Sequence, residues 1–123
     1  IVVTEASPPF SVCCVNSSWE GLCGYTESEA RGRSLGDLLK GKETDTMAAT
    51  ALVDKLLHGM EAGAILTNYA KGGKKFQNRI RVGPLCDEQG RITHFIGVLR
   101  ESKVLSNFGE NGGSGESEQQ RAE

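Results

Sequence analysis

The segment that most constrains the fold is Asn68-Tyr69-Ala70-Lys71-Gly72-Gly73-Lys74-Lys75-Phe76-Gln77-Asn78. It reads as the end of one strand, a Gly-Gly turn and the start of the next. Two asparagine amides stand ten residues apart on neighbouring strands. Pointing to the concave face of a sheet, they would bind the polar edge of a flat ligand. Pointing outward, they would be ordinary hairpin residues bonding locally to backbone. Asn78 shares the parity of Phe76, Ile80 and Val82, against Gln77, Arg79 and Arg81. It is therefore a polar group on an apolar face, and a buried amide must find partners.

The hairpin belongs to a β-rich last third. Ala64–Tyr69, Phe76–Leu85 and Ile92–Arg100 are strand candidates joined by short turns, which makes an antiparallel meander. At the other end, Ile1–Thr4 and Ser11–Val15 are strand candidates separated by Ser7-Pro8-Pro9. Phe10, Val12 and Cys14 are expected on one face, Cys13 and Val15 on the other. One of the adjacent cysteines is then expected to be a small core residue.

Helices fill the middle. Asn16-Ser17-Ser18 is an N-cap cluster, Trp19, Leu22 and Cys23 follow at helical spacing, and Gly24 is a stop. Thr26 and Glu29 have capping-box spacing. Leu35–Leu39 reads as one more helical turn. Thr44–Met60 is the long helix, with Met47, Ala51, Leu52 or Val53, Leu56, Leu57 and Met60 as its apolar stripe. The sum is an α+β layer: a five-stranded antiparallel sheet, with short helices and one longer helix on one face. The globular domain is expected over residues 1–102. Residues 103–123, rich in Gly, Ser, Glu and Gln, read as a disordered or linker tail.

Composition narrows the function. With 123 residues the chain holds one domain. A net charge of −2 gives no electrostatic case for nucleic acid. No apolar run approaches the roughly 18–20 residues of a membrane span. The four cysteines form no C-x-x-C pair and there are two histidines, so spacing gives no zinc site. The absence of an opening methionine is what a piece of a larger protein would show. Free cysteines suit a reducing, intracellular setting, cytoplasmic or nuclear. Acidic Asp37, Glu43 and Asp45 lack a nucleophile, metal spacing or phosphate loop beside them, so the domain is not expected to be an enzyme.

The residues resemble the PAS domain family, and within it the LOV (light, oxygen or voltage) subclass of flavin-binding blue-light sensors. Val15-Asn16-Ser17-Ser18-Trp19 is similar to that family's VN-x-x-F/W, and Leu22-Cys23-Gly24-Tyr25 to its LTGY. Glu29–Arg33 is similar to E-x-x-GR. Asn68–Gly73 matches NYRKDG at four of six positions, and Phe76-Gln77-Asn78 fits the following FWN. His94–Val98 resembles the last strand. The resemblance covers about residues 1–101.

The departures carry the functional expectation. The LOV photochemical motif GRNCRFLQ supplies the cysteine that bonds to flavin. Here the segment is Gly32-Arg33-Ser34-Leu35-Gly36-Asp37-Leu38-Leu39, with Leu35 at the cysteine position and Gly36 at that of the phosphate-pairing arginine. Leu99 stands where the family has a glutamine that senses flavin. The resemblance thus implies a site built around Asn68, Asn78, Leu35 and Leu99 without the photoactive cysteine. His58 falls in a region where haem-binding PAS domains carry a histidine, and reads more simply as a helix C-terminal dipole partner. Two functions follow. The first is a sensory or regulatory module in signal transduction that needs no cofactor. It would act through a homodimer or a PAS partner at the outer sheet face, where Leu85, Ile92 and Phe95 are expected. The alternative is a sensor binding flavin (FMN), non-covalently, or another small molecule between sheet and helices.

Overall fold

Five runs of alternating apolar and polar residues make one antiparallel sheet in the computed structural model, which describes residues 1–102. The expected tail, 103–123, lies outside the described residues. The strands are β1 (Val2–Glu5), β2 (Val12–Val15), β3 (Ala62–Tyr69), β4 (Lys75–Cys86) and β5 (Ile92–Glu101). Their order is β2-β1-β5-β4-β3. The first strand therefore pairs with the last, Thr4 opposite Phe95 and Val2 opposite Gly97. This brings both ends of the domain to the middle of the sheet. Between β2 and β3 run α1 (Ser17–Cys23), α2 (Glu27–Ala30), α3 (Leu35–Leu39) and α4 (Thr46–Leu57). This is the α+β layer expected from the sequence. No helix among the described residues is long and apolar enough to cross a membrane.

Side-chain caps set the helix starts. Asn16 Oδ1 accepts from the Trp19 amide at 3.0 Å and from the N-terminal ammonium of Ile1 at 2.8 Å. Thr26 and Glu29 form the full reciprocal capping box. Gly24 ends α1 in the left-handed conformation, φ 84°. The long helix is shorter than the expected Thr44–Met60. Thr44 Oγ1 is used elsewhere, donating to the Thr67 carbonyl at 2.6 Å, and Asp45 takes the cap instead. Its buried stripe is also narrower. Leu52 and Leu56 are buried, whereas Met47 is 83% exposed and Met60 50%.

Two further expectations are corrected by register. The β1–β2 pairing slips between Val3 opposite Cys14 and Thr4 opposite Val12, so Cys13 is the extra residue of a bulge. The bulge resets the alternation. Val12 is buried and Val15 packs on the core, while Cys14 is exposed. The buried cysteine is Cys23, not either of the adjacent pair. Phe95, expected on the outer face, is 5% exposed and points inward with Gly97 and Leu99. Its opposite neighbours, Thr4 and Pro84, fix that side. Leu85 does remain exposed.

The candidate site: a cavity under the sheet

The inner sheet face and helices α3 and α4 do not close completely. They enclose a cavity of about 330 Å³. Its floor is the inward set of the strands, including Val2, Leu66, Ile80, Val82 and Gly97. Its wall is Leu35 and Leu39 from α3, with Leu52, Val53 and Leu56 from α4. Phe10 lines one side and stacks on Phe95, ring centroids 5.9 Å apart. Gly97 is where bulk is missing. A Cβ there would stand 3.1 Å from Val82 Cγ1 and 3.5 Å from Val2 Cγ1. Isolated glycine in a strand is a sequence signal of such close approach.

The buried polar side chains of the lining are Thr4, whose hydroxyl donates to the Glu5 carbonyl, and the amides of Asn68 and Asn78, at 5% and 0% exposure. Asn68 sits opposite Phe76, and Asn78 opposite Leu66. The two are thus diagonal neighbours on one face. Their hydrogen bonds fix both amides. The Leu39 carbonyl can only accept, so Asn68 must turn Nδ2 toward it, at 3.2 Å. That leaves Asn68 Oδ1 facing Asn78, whose Nδ2 donates at 2.8 Å. Asn78 Oδ1 is then left over, buried and without a partner. An unpaired buried acceptor costs about 1–3 kcal/mol. The chemistry it asks for is an N–H or O–H donor.

Charge is scarce. Lys40 is the one ionisable residue of the lining, and its Nζ lies 3.2 Å from Asp37 Oδ1 with both side chains largely exposed. The basic turn is engaged elsewhere: Lys71 pairs with Glu29, and Lys75 Nζ reaches Glu43 Oε1 at 3.1 Å. The Lys71 contact holds the Glu29 carboxyl below its usual range. No cysteine lines the cavity among the described residues. Burial pushes the Cys23 thiol up to about 12, opposed by the N-terminal ammonium. His58 caps α4, its Nδ1 donating to the Asp54 carbonyl at 2.8 Å, away from the lining. No metal-ligating cluster occurs among the described residues.

Of the four residues expected to form the site, Asn68, Asn78 and Leu35 line this cavity. Leu99 does not. It is buried beside Gly97 and opposite Ile80, as part of the core next to the cavity. Phe10, Thr50 and Val53 were not anticipated, because only the fold brings them to the lining.

A sheet with this strand order, helices across one face and a ligand-sized hollow between them define the class of α+β fold. The chain belongs to the PAS domain family, whose model matches residues 1–102. Its relatives and structural neighbours include light-oxygen-voltage proteins. It is 28% identical to the "Blue-light photoreceptor" of Listeria innocua serovar 6a over 94 residues, 76% of this chain and 36% of that protein. It is 31% identical to "Phototropin-2" of Oryza sativa subsp. japonica over 98 residues, 80% of this chain and 11% of that one. The chain thus spans only a fraction of these curated relatives. Among solved structures, "Flavin Analogue Sheds Light on Light-Oxygen-Voltage Domain Mechanism" superposes with a TM-score of 0.77 at 27% identity, covering 91% of this chain and 87% of that one.

Proposed function

We propose that this domain is a sensory module of the LOV type that holds a flavin non-covalently, without cysteinyl–flavin chemistry. The observation that carries the reading is the buried, unpartnered Oδ1 of Asn78 in a mostly apolar cavity. The ring of a flavin carries an N–H donor on a polar edge and apolar faces elsewhere. The cavity offers one buried acceptor without a partner and largely apolar walls, and its volume of about 330 Å³ falls within the range of small-molecule sites. Bound there, flavin would supply blue-light absorption. The protein's own residues do the rest. Asn78 accepts from the ring edge, Asn68 holds Asn78 in that orientation, and Leu39, Leu52 and Leu66 exclude water. Leu35 presents an aliphatic side chain with no nucleophile. We assign the domain no catalysis of its own.

Output through the opposite face of the sheet is supported by a second observation. Ile65 is 46% and Val98 37% exposed on outward positions of β3 and β5. Apolar groups so placed suit a second copy of the domain or another PAS partner.

The test is a fluorescence titration of the purified chain with riboflavin and FMN. Saturable quenching that weakens in Asn78→Leu is expected. Unchanged fluorescence of both flavins at high protein concentration would overturn the flavin reading.

A further inference from the structure

The lining residues that also reach solvent are Pro9, Gly36, Lys40, Thr46 and Thr50. The cavity therefore opens between the β1–β2 loop and helices α3 and α4. Phe10 follows Pro9 directly. It is half-buried, lines the cavity, and rests its ring on that of buried Phe95. Among the described residues, Phe10 is the one non-glycine with a positive φ, 64°. A bulky side chain in this region is an outlier, because its Cβ crowds the following carbonyl. Glycine adopts the same conformation freely.

Contacts on both sides hold the outlier in place. Before it, the Phe10 amide donates to the Ser7 carbonyl at 2.8 Å, closing a turn over Pro8 and Pro9. After it, the Ser11 carbonyl accepts from the Glu5 amide at 2.9 Å, and Ser11 bridges to Ser34 at the start of α3. The Val12 amide donates to the Arg33 carbonyl at 2.9 Å. Loop, sheet and α3 together impose a glycine's geometry on a phenylalanine. Residues over-determined in this way collect at ligand clamps. The ring, not the backbone, is what the position needs.

We propose that Phe10 is the gate of the cavity: its ring, latched on Phe95, closes the opening over the ligand and sets how fast that ligand exchanges. The ligand class comes from the flavin reading above, on which this inference rests. The latch is one aromatic contact, with planes tilted by 33°. Breaking it leaves the amide pair in place, since Asn68 and Asn78 stand on β3 and β4. A looser latch should therefore speed entry and exit by the same factor and leave affinity nearly unchanged.

The experiment is stopped-flow fluorescence of the whole chain with riboflavin, following association on mixing and release on dilution. Phe10→Ala is expected to raise both rates by about two- to tenfold, the worth of one aromatic contact, with Kd nearly unchanged. Phe10→Leu keeps apolar bulk without the ring, and should move both rates in the same direction by less. It decides the matter if the alanine variant does not fold. A merely structural ring would lower stability without speeding entry. In thermal melts Phe10→Gly should melt above Phe10→Ala, the reverse of the usual order for these two residues. Unchanged rates in both ring-less variants, with riboflavin still bound, would overturn the gate and leave the flavin reading intact. Phe10→Ala melting above Phe10→Gly would overturn it as well. Riboflavin binding to none of the proteins, parent included, would sink both.

Discussion

Asn78 Nδ2 donates to Asn68 Oδ1 at 2.8 Å, joining diagonal neighbours of one hairpin in the dry interior of the sheet. Because Asn68 is in turn held by the Leu39 carbonyl, a helix backbone dictates which atom Asn78 presents to the cavity. The hairpin and α3 are thus one polar unit.

Breaking that unit at one point should cost more than removing it. Asn78→Leu strands Asn68 Oδ1 and is expected to lower stability by about 1–3 kcal/mol. The double variant Asn68→Leu/Asn78→Leu should cost less than the sum of the singles, with a coupling of about 0.5–3 kcal/mol. Urea unfolding of the four proteins gives the cycle. Additive losses would show that the amides act independently.

Gly41 is held glycine by an aromatic ring. A Cβ there would overlap Cδ1 and Cε1 of Tyr69, whose hydroxyl also accepts from the Glu43 amide at 3.0 Å. Gly41→Ala should destabilise by about 1–3 kcal/mol through overpacking. In the background of Tyr69→Ala, the same change should cost much less. Thermal melts test this, and an equal cost in both backgrounds would refute the contact.

Cys23 should be unreactive until the protein unfolds. A thiol reagent at neutral pH is expected to label Cys14 and Cys86 quickly and Cys23 only in denaturant, since it is fully buried. Burial raises its thiol from the ordinary 9.0 to about 12 on folding. Over that interval the native state holds a proton the unfolded chain has lost, so stability falls as pH climbs from about 9 toward 12. Urea midpoints across this range should fall less steeply in Cys23→Ala than in the parent.

The outer face should be dispensable for folding and necessary for association. Ile65→Glu and Val98→Glu alter partly exposed positions and are expected to change stability by about 0.5 kcal/mol or less. If the face joins two copies, each should convert a dimer to monomers in light scattering. An unaltered mass in both variants would move the interface elsewhere.

Local chemistry was legible in the sequence. The capping oxygens of Asn16 and Thr26, the stop at Gly24 and the turn at Gly72-Gly73, with φ of 92° and 95°, all depend on neighbours within a few residues. Alternation alone placed Asn78 inside. The misjudged residues share a different cause. Cys13 and Cys14 depended on a bulge, and Phe95 on its pairing with Thr4, far away in the chain. Met47 depended on what packs against the first turn of α4. None of these is encoded by spacing along one segment.

By itself, then, the sequence determined the elements, their order and the inward placement of Asn78, because hydrogen-bond caps, turns and alternation are short-range. Only the tertiary structure decided which atom the asparagine pair presents to the cavity. The β1–β5 pairing brings Val2 and Gly97 to the floor of the cavity, and α3 presents the Leu39 carbonyl that orients both asparagines. Each is a contact between segments far apart in the chain, and register and packing settle such contacts together.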